Sequence, residues 1–295
     1  MDSRIEFFVN SVMGAEAVAD VPIIRIDNVA EYLERDTTRT YYTFEELPNL
    51  APPWPIACFI WRGRHREISY EAVVIMFGWQ ISSGWLLNLR IWVLHPGQRN
   101  SAFGNVYHLL DSTGVHQDPP LLGLKASAQE AGIGDWLAGL PDEMDSYIRV
   151  AQLGMYDWDQ RVFDFTLEGE TLEQVCVRID TVEFPILSAI TFCHCKNVEL
   201  IEELPARALR RRREAAHLPA IKFRTINIQP VRQMLVPHTS QGETISHALH
   251  ICRGHFKDYR QRGLFGRNKG LYWWDMHMRG SIEQGRVVKD YSIQP

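Results

Sequence analysis

The sequence has no uninterrupted run of about eighteen apolar residues, the length that a membrane-spanning helix requires. Cysteine is scarce and odd in number, with five in 295 residues and no regular spacing. This excludes a disulfide-stapled secreted scaffold and predicts reduced thiols in a cytoplasmic protein. The first twenty residues carry acids early and lack a long apolar core, so we expect no signal peptide.

Motifs of known mechanism are also missing. The chain has no Walker loop, no Gly-x-Gly-x-x-Gly after a strand and no Gly-x-Ser-x-Gly, and no cofactor is therefore predicted. The net charge of −5 shows that the molecule as a whole is not a polycation. Any nucleic-acid partner would have to bind a local basic surface.

The composition is that of an ordinary globular protein, with 45% apolar, 11% aromatic and 23% charged residues. A chain of this length forms one large domain or two smaller ones and buries most of its apolar surface without staples.

The first half of the chain predicts helices followed by a meander of antiparallel strands. Segments 2–20 and 28–35 are typical of helices, the second with Asn28 as a cap. Turn residues at Gly63 and at Ser82–Ser83–Gly84 then separate segments rich in β-branched and aromatic residues. The predicted strands are 56–63, 68–81, 85–96 and, as a fourth, 105–111. Residues 112–142 are predicted to be rich in loops.

A basic segment follows the next predicted helix. Residues 182–204 indicate a buried helix, with Pro185 in its first turn, and then a short strand. After it come Arg207 and four consecutive arginines: Arg210, Arg211, Arg212 and Arg213. The segment is either a solvated helix or linker, or a surface that faces phosphates.

The last 75 or so residues predict a compact antiparallel module with glycine-rich turns. Its four predicted strands are 221–229, 246–256, 271–279 and 286–294. The predicted fold class is therefore α+β, with antiparallel β-sheets and flanking helices. Three parts are expected: an N-terminal part (1–204), a basic linker or helix (205–218) and a four-stranded C-terminal module (219–295). One continuous domain is the alternative.

Two histidine-rich clusters stand in this module, HICRGHFKDY from 250 and WWDMHMRG from 273. Side chains alternate between the two faces of a strand. If the two segments are neighbours, one face gathers two imidazoles and two guanidiniums: Arg253, His255, His277 and Arg279. A bulge at Gly254 would bring His250 into the set.

Such a patch has the groups that metal-independent phosphodiester cleavage needs. Two histidines can act as general base and general acid near neutral pH, and two arginines can hold a phosphate and stabilise the charge that develops on it. Further donors in the same module are Lys257, Tyr259, Arg267 and Tyr291. The same groups fit phosphate binding without cleavage, or an ordinary solvated surface paired with acids.

A zinc site is the alternative interpretation of the histidines in this module. Residues 193–195 and 250–255 contain three cysteines and three histidines, which are zinc ligands. Their spacings match no established ligand pattern, and free cysteine is commonly a small buried apolar residue. No metal is therefore predicted.

The C-terminal pattern HICRGHFKDY…GLFGR…GLYWWDMHMRG resembles a set of uncharacterised proteins from phages, plasmids and bacterial genomes. These carry H-x-V-R-G-H-F, then L-F-G, then an aromatic pair followed by H-x-R-G. The likeness covers roughly residues 185–295, and Cys252 stands where the set has an aliphatic residue. It implies a phage or mobile-element context and a C-terminal module, and it carries no established activity.

These observations together predict a phage or mobile-element protein that binds nucleic acid, with RNA as the expected type. The patch and the arginine segment would make the contact, and His255 and His277 would be acid and base if RNA is cleaved. Arg253 and Arg279 would stabilise the phosphate. The alternative is a non-enzymatic protein that binds and blocks a host or phage protein. No membrane partner is expected.

Overall fold

The computed structural model describes thirteen stretches of the chain: residues 21–35, 43–65, 68–94, 100–117, 121–133, 150–157, 162–164, 172–218, 220–228, 248–252, 254–275, 277–279 and 281–286. The helix predicted at 2–20, together with Arg253 and Tyr291, lies outside these residues.

Helices and a large, mostly antiparallel sheet make up the described chain, which confirms the α+β class. The strands are β1 (Ile23–Arg25), β2 (Ile56–His65), β3 (Ile68–Ile81), β4 (Gly84–Leu94), β5 (Asn100–Asp111), β6 (His116–Gln117), β7 (Val150–Asp157), β8 (Val162–Asp164), β9 (Val198–Glu203), β10 (Phe223–Ile228), β11 (Ala248–Cys252), β12 (His255–Asp258), β13 (Leu271–Trp274), β14 (His277–Arg279) and β15 (Ser281–Arg286). The helices are α1 (Asp27–Arg35), α2 (Leu121–Glu130), α3 (Leu172–Cys193) and α4 (Arg207–Ala215). In the described part of the chain, none of these helices combines the length and the apolar character needed to cross a membrane.

The predicted meander is confirmed as the centre of a sheet with strand order β8-β7-β5-β4-β3-β2-β1-β10-β9, in which β6 pairs with β5. Strands β2 to β5 are antiparallel neighbours, and Ser82–Ser83 forms the two-residue turn between β3 and β4. Gly63 lies within β2 rather than in a turn, because it pairs with Tyr70, whose ring lies directly over it. The sheet is mixed, since β1 runs parallel to both β2 and β10.

Three helical predictions need correction. Helix α1 begins at Asp27, so Asn28 lies inside its first turn, and its side-chain amide donates a 2.6 Å hydrogen bond to the carbonyl of Ile226 instead of capping the helix. The loop-rich region contains helix α2, whose apolar residues Leu124 and Ala128 are four apart and are buried with Ile81, Leu86 and Tyr107 of the sheet. Helix α3 begins at Leu172, so Pro185 lies inside it and not in its first turn. A proline inside a helix removes one backbone hydrogen bond. The buried residues that follow it, from Ile186 to Phe192, hold the helix by packing.

The chain divides into two compact units, one of residues 1–194 and 200–227 and the other of residues 195–199 and 228–295. The four-stranded module is not found among the described residues. Its predicted first strand, β10, belongs to the large sheet and pairs in parallel with β1. The described strands of the second unit are the three-stranded set β14-β11-β15 and the two-stranded pair β12-β13, and β15 runs parallel to β11.

A polar pair lies in the interior of the first unit. His108 of β5 and Glu183 of α3 are both almost fully buried, and the carboxylate contacts Nε2 of the imidazole. Among the described residues, Nδ1 of His108 has no hydrogen-bond partner. The rings of Phe44 and His116 stack at 3.9 Å and lie beside the His108 ring at centroid distances of 5.6 and 5.4 Å. The pair is thus enclosed by aromatic side chains.

We predict that Glu183→Leu destabilises the protein by about 3 kcal/mol, because it leaves His108 buried without its partner. The double substitution His108→Leu with Glu183→Leu should recover much of that loss, since neither polar group then remains in the apolar surroundings. Urea unfolding measures both, with the exposed Glu214 of α4 as the control position (Glu214→Leu). A single variant as stable as the control would show that the pair contributes nothing.

Candidate nucleic-acid interface

The second unit is built around the antiparallel hairpin of β12 and β13, in which His255 faces Trp274 and Asp258 faces Leu271. Lys257 and Trp274 lie on the same side of this ladder, with the ammonium 4.1 Å from the centre of the indole ring. Phe256 and Trp273 meet edge to face on the other side, at 4.7 Å. Both sides of the hairpin are therefore packed with aromatic rings. Edge-to-face contacts between rings and a cation placed above a ring are both stabilising arrangements.

Asn197 fastens a separate piece of chain to this hairpin. Its side-chain amide donates a 2.9 Å hydrogen bond to the carbonyl oxygen of Trp273, and its side-chain oxygen accepts a 2.9 Å bond from the Trp273 N–H. Lys196 adds a backbone N–H bond of 2.8 Å to the carbonyl of Leu271. The backbone groups along this edge of β13 are thus hydrogen-bonded by residues 195–197, because buried backbone groups require partners.

We predict that Asn197→Ala destabilises the hairpin by about 1–3 kcal/mol, because both backbone groups of Trp273 would lose their partner while the site stays buried. Faster hydrogen exchange of the β13 amides is the measurement. Asn268→Ala is the matched control, since Asn268 is exposed and bonds through its backbone. Equal exchange in the two variants would contradict the role given to Asn197.

The β12–β13 connection is a basic loop, residues 259–270, with four cationic side chains and no acidic one. The guanidinium of Arg260 donates two hydrogen bonds, of 2.9 and 2.7 Å, to Oδ2 of Asp258, which lowers the pKa of that carboxyl group. Three further cations are exposed: Arg262, Arg267 and Lys269. Because Arg260 is engaged by Asp258, these three carry the positive charge of the loop surface.

The predicted His/Arg patch is divided between two ladders. In the ladder of β11 and β14, His250 pairs with Arg279 and Cys252 pairs with His277. His255 belongs to the other ladder, where its partner is Trp274. By register, the positions of His250, His277 and Arg279 share one face of their ladder, because directly paired residues and residues two apart lie on the same face.

Tyr259, a predicted donor, is half-buried and meets Tyr272 edge to face at 6.0 Å. Together with Trp274 it packs against the buried pair Leu264 and Tyr272. This contact supports the base of the loop. The predicted role of Tyr259 as a phosphate donor stays a prediction.

The arginine segment forms helix α4 in the first unit. Leu209 and Arg213, four residues apart, are its buried face, and Arg213 is only 1% exposed. Burial lowers the pKa of the Arg213 guanidinium. The other side of the helix is exposed and carries Arg207, Arg210, Arg211 and Arg212. The run of four arginines is therefore three surface cations and one interior residue.

The end of α4 is fixed by a backbone cap. His217 adopts the left-handed conformation with φ of 53°, Leu218 N–H bonds to the carbonyl of Arg213, and His217 N–H bonds to that of Glu214. These are the two bonds of a Schellman motif. Arg212 and Arg213 in the last turn also complement the helix dipole. The segment is thus an ordered helix and not a flexible linker.

Cys193 and His194, at the end of α3, are partly buried. His194 Nε2 lies 2.7 Å from the carbonyl oxygen of Ala51. Burial raises the pKa of the Cys193 thiol to about 12, as it does that of Cys58. Within the described stretches, no group of three or more His, Cys, Asp or Glu side chains has the geometry to hold a metal ion.

Two features of this architecture were not predicted from the sequence. One is the buried pair of His108 and Glu183, whose partners are 75 residues apart and carry no local motif. The other is Phe265, a large apolar residue that is 71% exposed in the basic loop. The run Gly263–Leu264–Phe265–Gly266 was a usable signal for a turn, but it does not distinguish the buried Leu264 from the exposed Phe265.

No protein-family model, curated protein or solved structure significantly matches this chain.

Proposed function

We propose that this protein binds nucleic acid, chiefly RNA, through local basic surfaces. The observation that carries the proposal is the exposed cationic face of α4, supported in the second unit by the basic loop 259–270. The exposed side of α4 carries four arginines and one acid, Glu214, and the exposed part of the loop carries three cations and no acid, in a protein whose net charge is −5. Phosphate contacts by such groups supply most of the affinity of sequence-independent binding.

The rest of the setting belongs to the same proposal. The resemblance of residues 185–295 to phage and mobile-element proteins suggests the biological context. The odd number of cysteines without a disulfide framework favours the reducing cytoplasm. A protein partner is the alternative, and the net negative surface and the aromatic N-terminal half of the chain would then form the interface.

We predict that Arg210→Gln with Arg211→Gln weakens RNA binding and lowers its salt dependence. The slope of log K against log salt should fall by about 1 to 2, since each phosphate contact on a single strand contributes roughly 0.7. Glutamine keeps the helix propensity of arginine, and Arg213 is left intact because it is buried. Fluorescence anisotropy of a labelled RNA, titrated at several salt concentrations, gives the slope.

Arg62→Gln with Lys222→Gln is the matched control, because both side chains are exposed and their loss changes the net charge equally. Equal slopes for the two double variants would show that net charge, and not α4, governs binding. A wild-type protein that binds no RNA or DNA at low salt would contradict the proposal itself.

Metal-independent RNA cleavage is a second candidate function, which the register of β11 and β14 favours. The positions of two histidines and an arginine share one face there: His250, His277 and Arg279. One imidazole would take the proton of the 2′-hydroxyl while its oxygen bonds to phosphorus. The other would protonate the 5′-oxygen as the P–O5′ bond breaks, leaving a 2′,3′-cyclic phosphate and a 5′-hydroxyl. Arg279 would stabilise the charge on the phosphate oxygens.

We predict that cleavage of labelled RNA, if it is the function, persists in EDTA and falls by about 10²–10⁴ in His250→Ala and in His277→Ala. His255→Ala tests whether His255 acts together with His277, as the sequence predicts, because His255 lies in the other ladder. The exposed His217 provides the control, His217→Asn, since asparagine tolerates its left-handed conformation. Absence of cleavage by the wild-type protein removes this candidate and leaves the binding proposal standing.

A further inference from the structure

Phe265 occupies the tip of the basic loop in a conformation that does not serve stability. Its side chain is 71% exposed, and its φ of 54° lies in the left-handed region that favours glycine. Both features cost free energy, since an apolar ring meets water and a residue with a Cβ adopts a sparsely populated conformation. A residue that is doubly unfavourable in the free protein is a candidate for a role in binding.

The backbone beneath this ring is firmly held. Leu264 N–H donates to the carbonyl of Asn268 at 2.7 Å, and Asn268 N–H donates back to the carbonyl of Leu264 at 3.1 Å. Leu264 itself is buried against Tyr272, and the loop is closed by the Tyr259 N–H bond to Gly270 at 2.8 Å. The three residues between Leu264 and Asn268 thus form a small turn on an anchored base, which presents the Phe265 ring to solvent.

Exposed cations flank the ring on both sides in the sequence: Arg262, Arg267 and Lys269. The loop contains no acidic residue that would neutralise them. An exposed aromatic ring among cations matches a single-stranded nucleic acid, whose bases offer π-faces and whose phosphates are anionic. A base pair inside a duplex is already stacked on both faces and offers no free face to the ring.

We propose that the tip of loop 259–270 is a stacking platform for an unpaired base of a single-stranded RNA, with Phe265 under the base and the flanking cations on the phosphates. This inference rests on the proposed nucleic-acid binding and names its substrate class. The platform is formed before the strand arrives, so little ordering entropy is lost on binding.

The test compares variants of the full chain on two labelled probes of equal length, a single-stranded RNA of mixed sequence and an oligonucleotide whose central nucleotides are abasic. Phe265→Asn removes the ring with a residue that tolerates a positive φ, so the loop keeps its fold. We expect its affinity for the RNA to be about tenfold weaker and its affinity for the abasic strand to be unchanged. Phe265→Trp should bind the RNA as tightly as the wild type, because it keeps an aromatic face at this position.

Two controls separate stacking from other effects. Phe265→Leu keeps an apolar side chain but has no π-face, and we expect it to bind RNA as weakly as Phe265→Asn. Leu204→Asn removes an apolar side chain that is 62% exposed outside the loop, and it should bind like the wild type.

Full RNA affinity in Phe265→Asn or in Phe265→Leu would overturn the stacking platform, and the second result would show that an apolar side chain without a π-face is sufficient. If those variants bind normally while the Arg210 and Arg211 double variant is weakened, the platform fails and the proposed function stands. A wild-type chain that binds neither probe overturns both.

Discussion

The side-chain amide of Asn197 is the contact on which the architecture of the second unit depends. It satisfies both backbone groups of Trp273 and ties residues 195–199 to the edge of β13. A strand edge left open in this position would bury an unpaired N–H and carbonyl. With the edge closed, the aromatic rings of β12 and β13 can pack on both sides, and the loop between the strands has a rigid base. The exposed ring of Phe265 is presented on that base.

Positive charge is arranged differently in the two units. Helix α4 keeps Leu209 and Arg213 in the interior and turns its remaining arginines outward, so that burial holds the helix and leaves the cations in water. The hairpin instead uses one acid, Asp258, to hold Arg260, and leaves the other cations of the loop exposed. In both places one arginine has a structural role while other cations of the same segment are exposed to solvent. A count of charges along the sequence does not distinguish these roles, and packing does.

Much of the fold could be predicted because its signals are local. The strands of the meander are rich in β-branched and aromatic residues, and the turn at Ser82–Ser83 follows from its composition. Predictions failed where a distant partner decides the structure. Phe223–Ile228 joins the large sheet because β1, some two hundred residues earlier, offers a parallel edge, and Gly63 is a strand residue because it pairs with Tyr70 of the neighbouring strand. The local pattern predicts Pro185 at a helix start, whereas α3 continues on both sides of it because the residues that follow are packed in the interior.

The sequence by itself determined the α+β class, the antiparallel meander and the places where histidine and arginine concentrate, because strand-forming composition, turn composition and charge are properties of neighbouring residues. Only the tertiary structure decided which of these residues meet. The register placed His277 with His250 and Arg279, and it paired His255 with Trp274. Packing buried Arg213 and exposed Phe265. Register and burial depend on contacts between residues far apart in the chain, and local patterns carry no information about such contacts.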